Sequence, residues 1–228
     1  MTRELTKQIQ SELDLIVDGV WGQKTSQALI DYQESQGLIG NGLWDVETEE
    51  LMFPHRKTIR LIKEKCAELD ITKPEQVQYI IATAEHETAG TFKAIKEYGG
   101  DKYLSGLYDP VLAKNQRLRN RAKSMGNTEE GDGVKYCGRG LVQLTWKNNY
   151  QKYTDILGID LVNEPDLALD TDVAVSILVH GMKHGVFTGK KLDDYISDQG
   201  TDFIGARRII NGTDKANHIA SLACKIKV

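Results

Sequence analysis

The chain lacks any apolar run near the ~20 residues that a bilayer-spanning helix needs. It also lacks an apolar signal core: Met1-Thr2-Arg3-Glu4-Leu5-Thr6-Lys7 reads polar, so no ordinary secretion route is expected. Cysteine is scarce. Cys66, Cys137 and Cys224 are odd in number and widely spaced, which argues against a disulfide framework and fits synthesis in a reducing cytoplasm. With no CxxC pair, a thiolate zinc site is not expected. His86-Glu87 lacks the second histidine of the zinc-protease motif, because position 90 is Gly. Gly138-x-Gly140 lacks the third glycine and the following helix of a dinucleotide loop. No cysteine sits in a nucleophile motif, and His180 and His184, four apart, read as surface or satisfied core histidines. Neither a cofactor nor a metal is expected.

What is present divides unevenly. Residues 1–53 hold three Lys/Arg against ten Asp/Glu, a net of −7, while the rest hold 26 against 23, a net of +3. Two units with different surfaces are expected, and the acidic one is a poor nucleic-acid binder. Within it, Asp18-Gly19-Val20-Trp21-Gly22-Gln23-Lys24-Thr25 aligns with Asn41-Gly42-Leu43-Trp44-Asp45-Val46-Glu47-Thr48. Each copy reads as a turn followed by a Thr that opens a helix. Between them Ala28, Leu29, Tyr32 and Gln33, closed by Gly37-Leu38, form an amphipathic helix. The repeat is either a plain helical cap or a ligand module, and two equivalent Trp residues favour the second.

This pattern, from Leu15 through Asp18-Gly19-x-Trp21-Gly22, Ala28-Leu29, Tyr32-Gln33 and Gly37-Leu38 to Leu51, resembles the small peptidoglycan-binding domain found beside many cell-wall hydrolases. The resemblance implies a three-helix wall-binding module over residues 1–53. Phe53-Pro54-His55-Arg56 then reads as a short joint, with Pro54 a boundary.

The remaining chain reads as α-rich. Ile59, Ile62, Cys66 and Leu69 share one helical face. Thr72-Lys73-Pro74-Glu75 predicts a helix start with Thr72 as cap, and the helix runs through Val77, Ile80, Ile81 and Ala84 to about Thr88. Further helices are expected from Asp109-Pro110, over 172–183, and from Asp214 to the end. A small hairpin is expected near 134–145, where five glycines fall in fifteen residues (126, 131, 133, 138, 140). Gln143, Thr145 and Asn149 follow as hydrogen-bonding side chains suited to a sugar.

Glu87 lies seven residues after Ile80, hence on the buried face at the end of an apolar helix. A carboxylate there must be paired or kept protonated, and a protonated one suits a general acid. Glu97, before Tyr98-Gly99-Gly100, should sit in a loop. Two carboxylates in such different settings suit glycoside hydrolysis, although 33 acidic residues make similar pairs common. The basic run Lys114, Arg117, Arg119, Arg121 and Lys123 is either a solvated helix face or a surface for an anionic polymer.

Four motifs in order carry a second resemblance: His86-Glu87-Thr88-Ala89-Gly90, then Gly126-Asn127-Thr128-x2-Gly131-Asp132-Gly133, then Tyr136-x-Gly138-Arg139-Gly140-x2-Gln143-Leu144-Thr145-x3-Asn149-Tyr150, then Ile209-Ile210-Asn211-Gly212. Over residues 57–228 the chain resembles glycoside hydrolase family 19, in its phage endolysin branch rather than the plant chitinases. The resemblance implies a two-lobed, lysozyme-like, mainly α domain with a small β-hairpin. It also implies inverting hydrolysis of a β-1,4 bond between N-acetylated sugars. Glu87 falls on the acid. Glu97 falls on the base, with Asp101 the alternative, and Thr145 on the hydroxyl that holds the water. Gln143, Asn149 and Asn211 match substrate contacts, with Tyr136 and Arg139 shaping the cleft. His218 stands where plant members place an arginine. The partner implied is bacterial peptidoglycan, with chitin the rival substrate and a catalytically dead wall-binding protein the rival class. A monomer is expected that inserts into no membrane. It would wait in the host cytoplasm until a holin-like protein opens the way to the wall and periplasm.

Overall fold

Two local devices, a repeated glutamine clamp and a pair of neighbouring cores, organise the computed structural model, which describes residues 1–228. The chain divides into Met1–Lys57 and Thr58–Val228. It is mainly helical, with eleven α-helices and four strands of two residues each. No helix is long and apolar enough to cross a membrane.

The first unit has three helices, Arg3–Glu12, Gln23–Ser35 and Val46–Met52. Its repeat extends further than the turn motif. Gln10 is buried, and its Nε2 donates to Asp18 Oδ1 at 2.8 Å, Val20 O at 3.0 Å and Thr25 Oγ1 at 3.3 Å. Gln33, 23 residues later, donates to Asn41 Oδ1, Leu43 O and Thr48 Oγ1 at 3.2, 2.9 and 2.9 Å. Each glutamine also accepts the N–H of the turn glycine, Gly19 or Gly42. One buried amide thus satisfies the polar groups of each turn, which is what lets so short a module close. Trp21 and Trp44 pack half-buried against the core of Ile9, Leu29, Met52 and Phe53. These rings therefore contribute to packing. Phe53 is buried in that same core, and a helix begins at Pro54, so Phe53–Arg56 is not a loose joint.

The second unit has two cores. One gathers Ile62, Cys66, Tyr79, Ile80, Leu178 and Met182 among others. The other gathers Tyr136, Leu144, Tyr150, Tyr153, Leu161 and Ile177. Val142 and Phe187 pack against both. Helix Thr171–His184 serves the two cores from adjoining faces, Ile177 facing one and Leu178 the other. This is the two-lobed arrangement, with its seam at Val142 and Phe187.

Local expectations were revised in four places. Lys73, not Thr72, is the cap residue of helix Pro74–Glu87, and Pro74 takes the first helical position, where its missing N–H costs nothing. Asp109-Pro110 does not start a helix. Asp109 is fully buried and accepts the N–H groups of Val111, Leu112 and Gly131 at 2.8–2.9 Å, tying a turn together. The expected hairpin near 134–145 shrinks to a tight loop closed by Arg139 and Leu144, and residues 132–135 are helical. The strand partner of Arg139–Gly140 is instead Ile95–Lys96, antiparallel, with Ile95 opposite Gly140. His180 is not a satisfied histidine: its buried Nδ1 has no partner.

Candidate active site

Glu87 is the last residue of its helix. Thr88 ends that helix by accepting the N–H of Phe92 at 2.9 Å while donating to Ala84 O at 2.7 Å. The chain then reverses through left-handed backbone at Ala89, Gly90 and Phe92. The Glu87 side chain is 20% exposed and meets Arg207, itself 5% exposed, at 2.5 Å. Of the two ways to place a carboxylate on a buried face, pairing is the one realised. Arg207 also donates from Nε to Asp214 O at 3.1 Å, which fixes the direction of its fork. It belongs to the short helix Gly205–Ile209, and its carbonyl accepts the N–H of Asn211 at 3.0 Å.

Arg207 was not singled out in the sequence. The usable signal was chemical: a carboxylate on a buried helical face calls for a cation, and Arg207-Arg208 stands just before Ile209-Ile210-Asn211. His218 does not take that place. It is exposed, and its ring meets the edge of His86 at 5.5 Å. Burial pushes the His86 imidazole below its usual pKa.

Glu97 follows strand Ile95–Lys96 and continues its pairing, its N–H donating to Gly138 O at 2.8 Å. It is therefore at a strand end rather than in a free loop. Its carboxylate is held by neutral donors only. Tyr108 Oη donates to Oε1 at 2.9 Å and the Gly138 N–H to Oε2 at 3.1 Å. Burial and the neighbouring carboxylate push the Tyr108 phenol well above its usual pKa, so it remains a donor. A Cβ on Gly138 would lie 2.4 Å from Gln143 Oε1 and 3.2 Å from Glu97 Oε2, so any larger residue would push the Gln143 amide aside. The bare backbone is what lets Glu97 and Gln143 approach each other. Asp101 opens the next helix and is exposed, sharing an open pocket of about 460 Å³ with Glu97.

A cleft of about 200 Å³ lies on the seam of the two cores, lined by Val142, Gln143, Thr145, Asn149, Phe187 and Ile210 among others. Gln143 Nε2 donates to Ile95 O at 3.1 Å, and Thr145 Oγ1 donates to Gln143 O at 2.9 Å. Asn149 Nδ2 donates to Thr145 O at 2.7 Å, so the three side chains brace one segment. That segment holds two non-glycine residues in positive-φ backbone, Gln143 at 54° and Trp146 at 80°. Asn211 is exposed beside Ile210 and turns its Oδ1 back to the Gly212 N–H at 2.9 Å.

The structure thus gathers Gln143, Thr145 and Asn149 on one wall. Glu97 adjoins it through Gly138, and Glu87 adjoins it through Arg207 and the turn that carries Ile210. Two expected contacts are corrected. Tyr136 is 1% exposed and donates to Val162 O, so it cannot touch a polymer. Arg139 is 3% exposed. It bonds Asp166 at 2.7 Å, Tyr150 Oη at 3.0 Å and the carbonyls of Lys135 and Cys137, and so supports the wall from behind. All three cysteines are free, and burial pushes the Cys66 thiol up to about 12.

Comparison with known proteins agrees with the fold. The family model of glycoside hydrolase family 19, chitinase class I, matches residues 65–181. A glycosyl hydrolase family 19 domain-containing protein of Haemophilus influenzae is 31% identical over 145 residues, 56% of this chain and 72% of that one. Endochitinase 1 of Theobroma cacao is 33% identical over 109 residues, 47% of this chain and 32% of its own length, so the match spans about a third of that plant protein. Chitinase C of Streptomyces griseus shares the fold, with a TM-score of 0.51 at 20% identity over 77% of this chain and 90% of that one.

Proposed function

The chain belongs to glycoside hydrolase family 19, and on that footing we propose that it hydrolyses the β-1,4 bond between N-acetylmuramic acid and N-acetylglucosamine in bacterial peptidoglycan. The observation that carries the reading is the contrast between two carboxylates, one tied to the cleft wall through Gly138 and the other through Arg207 and the turn before Ile210. Glu87 is held by a cation and Glu97 by neutral donors.

In this reading Glu87, once it carries a proton, gives it to the glycosidic oxygen as the C1–O bond breaks. Arg207 then stabilises the carboxylate that remains. Glu97 removes a proton from a water that attacks C1 from the opposite face, so the configuration inverts. The Thr145 hydroxyl spends its hydrogen on Gln143 O, so toward water it can only accept. A water donating to Thr145 and Glu97 keeps a lone pair free for C1. Each Glu97 oxygen accepts one protein hydrogen bond and retains capacity for that water.

The wall as substrate is supported by the first unit, whose repeated turns match the peptidoglycan-binding pattern. Tethering such a module to the hydrolase raises the local concentration of substrate. The biological role that fits is lysis of a host cell by a phage-type endolysin, released to the wall by a separate membrane-permeabilising protein. A second reading, hydrolysis of chitin, is favoured by the chitinase names among the relatives. Mass spectrometry of digested sacculi and of digested chitin tests both. Saturated muramic acid reducing ends support the proposal. Products from chitin alone would replace it with the second reading, and anhydro-sugars would mean a lytic transglycosylase.

A further inference from the structure

Beyond Glu97 the surface continues into a second groove, of about 570 Å³, lined by Gly100, Lys102, Tyr103, Gly106, Leu112 and Lys114. Gly100 also borders the pocket that contains Glu97, so the two hollows share an edge. The groove is shaped by close contacts. A Cβ on Gly99 would strike the Tyr103 ring at 2.4 Å, and one on Gly106 would meet the Lys114 stem at 3.1 Å. The Lys114 N–H donates to Gly106 O at 3.0 Å, and its ammonium stands 5.7 Å from the centre of the Tyr103 ring. Tyr103 and Leu112 are about half exposed, at 48% and 51%, and give the groove an apolar floor.

Its charge is one-sided. Neither Lys102 nor Lys114 is paired with a carboxylate, and no acidic residue lines the groove. Residues 93–123 carry eight Lys/Arg against Glu97, Asp101 and Asp109. Asp109 is buried and already occupied by backbone N–H groups, so it offsets little of this at the surface. The helix Gln116–Ser124, with Arg117 and Lys123 exposed, extends the same field.

We propose that this groove is a specificity site for the carboxylate-bearing arm of an anionic glycan, the lactyl-peptide substituent of a peptidoglycan strand whose sugars occupy the cleft at Glu97. Lys102 and Lys114 meet the arm's carboxylates, while Tyr103 and Leu112 meet its methyl groups. The inference rests on the proposed wall substrate and deepens it. Chitin carries N-acetyl groups but no carboxylate, so it gains nothing here, and an unpaired cationic groove beside the base is what separates the two polymers. Paired exposed charges contribute modestly and are screened by salt, so the effect should appear in KM and fade as ionic strength rises.

The test uses the full chain on sacculi and on the same sacculi with carboxylates converted to amides by carbodiimide and ammonia. Wild-type protein should show a KM roughly tenfold lower on the native sacculi at low salt. The double variant Lys102→Gln/Lys114→Gln should lose that preference. Its KM should rise on native sacculi and converge with the wild type on amidated ones, with kcat falling little and thermal melting unchanged. A double variant that keeps the wild-type KM on native sacculi would overturn the groove while leaving the wall substrate standing. No new reducing ends from either preparation with wild-type protein would remove the wall substrate, and the groove's role with it.

Discussion

Glu87 and Glu97 are both half-buried carboxylates, and they are held by opposite kinds of partner. Glu87 meets a guanidinium supplied from 120 residues away, whereas Glu97 meets a phenol from the next helix and the backbone N–H of Gly138, just before strand Arg139–Gly140. A base has to start without its proton, and neutral donors can hold it in that state until it takes one from water. An acid has to start with its proton and finish without it. The cation suits only the second condition, so in the proposed mechanism its grip on Glu87 would strengthen as the reaction proceeds. An interaction stronger late than early is the kind that accelerates a reaction.

The largest effect expected from breaking this contrast is at the acid. Glu87→Gln should lower hydrolysis by roughly 10²–10⁴-fold, read as reducing ends released, with sedimentation on cell walls retained. Full activity would remove Glu87 from the acid role. Next is its cation. Arg207→Met leaves a part-buried carboxylate without its partner. It should cost about 1–3 kcal/mol in chemical denaturation and lower kcat more than it raises KM. Unchanged stability and kcat would mean the pair is idle.

On the neutral side the expected losses are smaller. Tyr108→Phe removes one of two donors from Glu97 and should lower kcat roughly tenfold, the kinetic equivalent of ~1.4 kcal/mol, with little change in melting temperature. A wild-type rate would leave Gly138 as the sole donor that matters. The smallest change in rate is expected at Asp109, next to Tyr108. Burial raises its pKa, but the N–H groups of Leu112, Val111, Gly131 and Gly133 together outweigh that and hold it below the usual range. A depressed carboxylate stabilises the fold above its unfolded value of ~3.9, and that contribution is lost as pH falls through the lower folded value. Asp109→Asn should therefore lower the melting temperature at neutral pH and flatten its decline below about pH 4. Parallel wild-type and variant melting curves across that range would contradict it.

Much of this arrangement is legible in the residues themselves. The buried stripe of Val77, Ile80, Ile81 and Ala84 predicts the helix that ends at Glu87, and the 23-residue repeat predicts the matched turns of the first unit. What escapes is the pairing of segments far apart in sequence. Strands of two residues have no periodicity to read, so Ile95–Lys96 against Arg139–Gly140 is invisible beforehand, and with it the seating of Glu97. Tyr136 and Arg139 are placed at the cleft by the motif they share with the family, which says nothing of how deeply each is buried. Their burial depends on Val162 and Asp166, roughly a helix away along the chain. Gln10 precedes the first turn motif, so only the folded clamp reveals that the repeat includes it.

The left-handed backbone at Gln143 and Trp146 has a further consequence. Non-glycine residues in sparsely populated backbone regions cost on the order of 1–3 kcal/mol each, and here two stand within four residues on the wall that faces the cleft. Such a segment works like a sprung catch. The folded body must keep pressing on it, through Ile95 O, Thr145 and Asn149, for the amide and hydroxyl to stay aimed. Heat resistance and turnover are then rivals at this spot, and lineages selected for durability would be drawn to relax these few residues first and to lose speed in doing so.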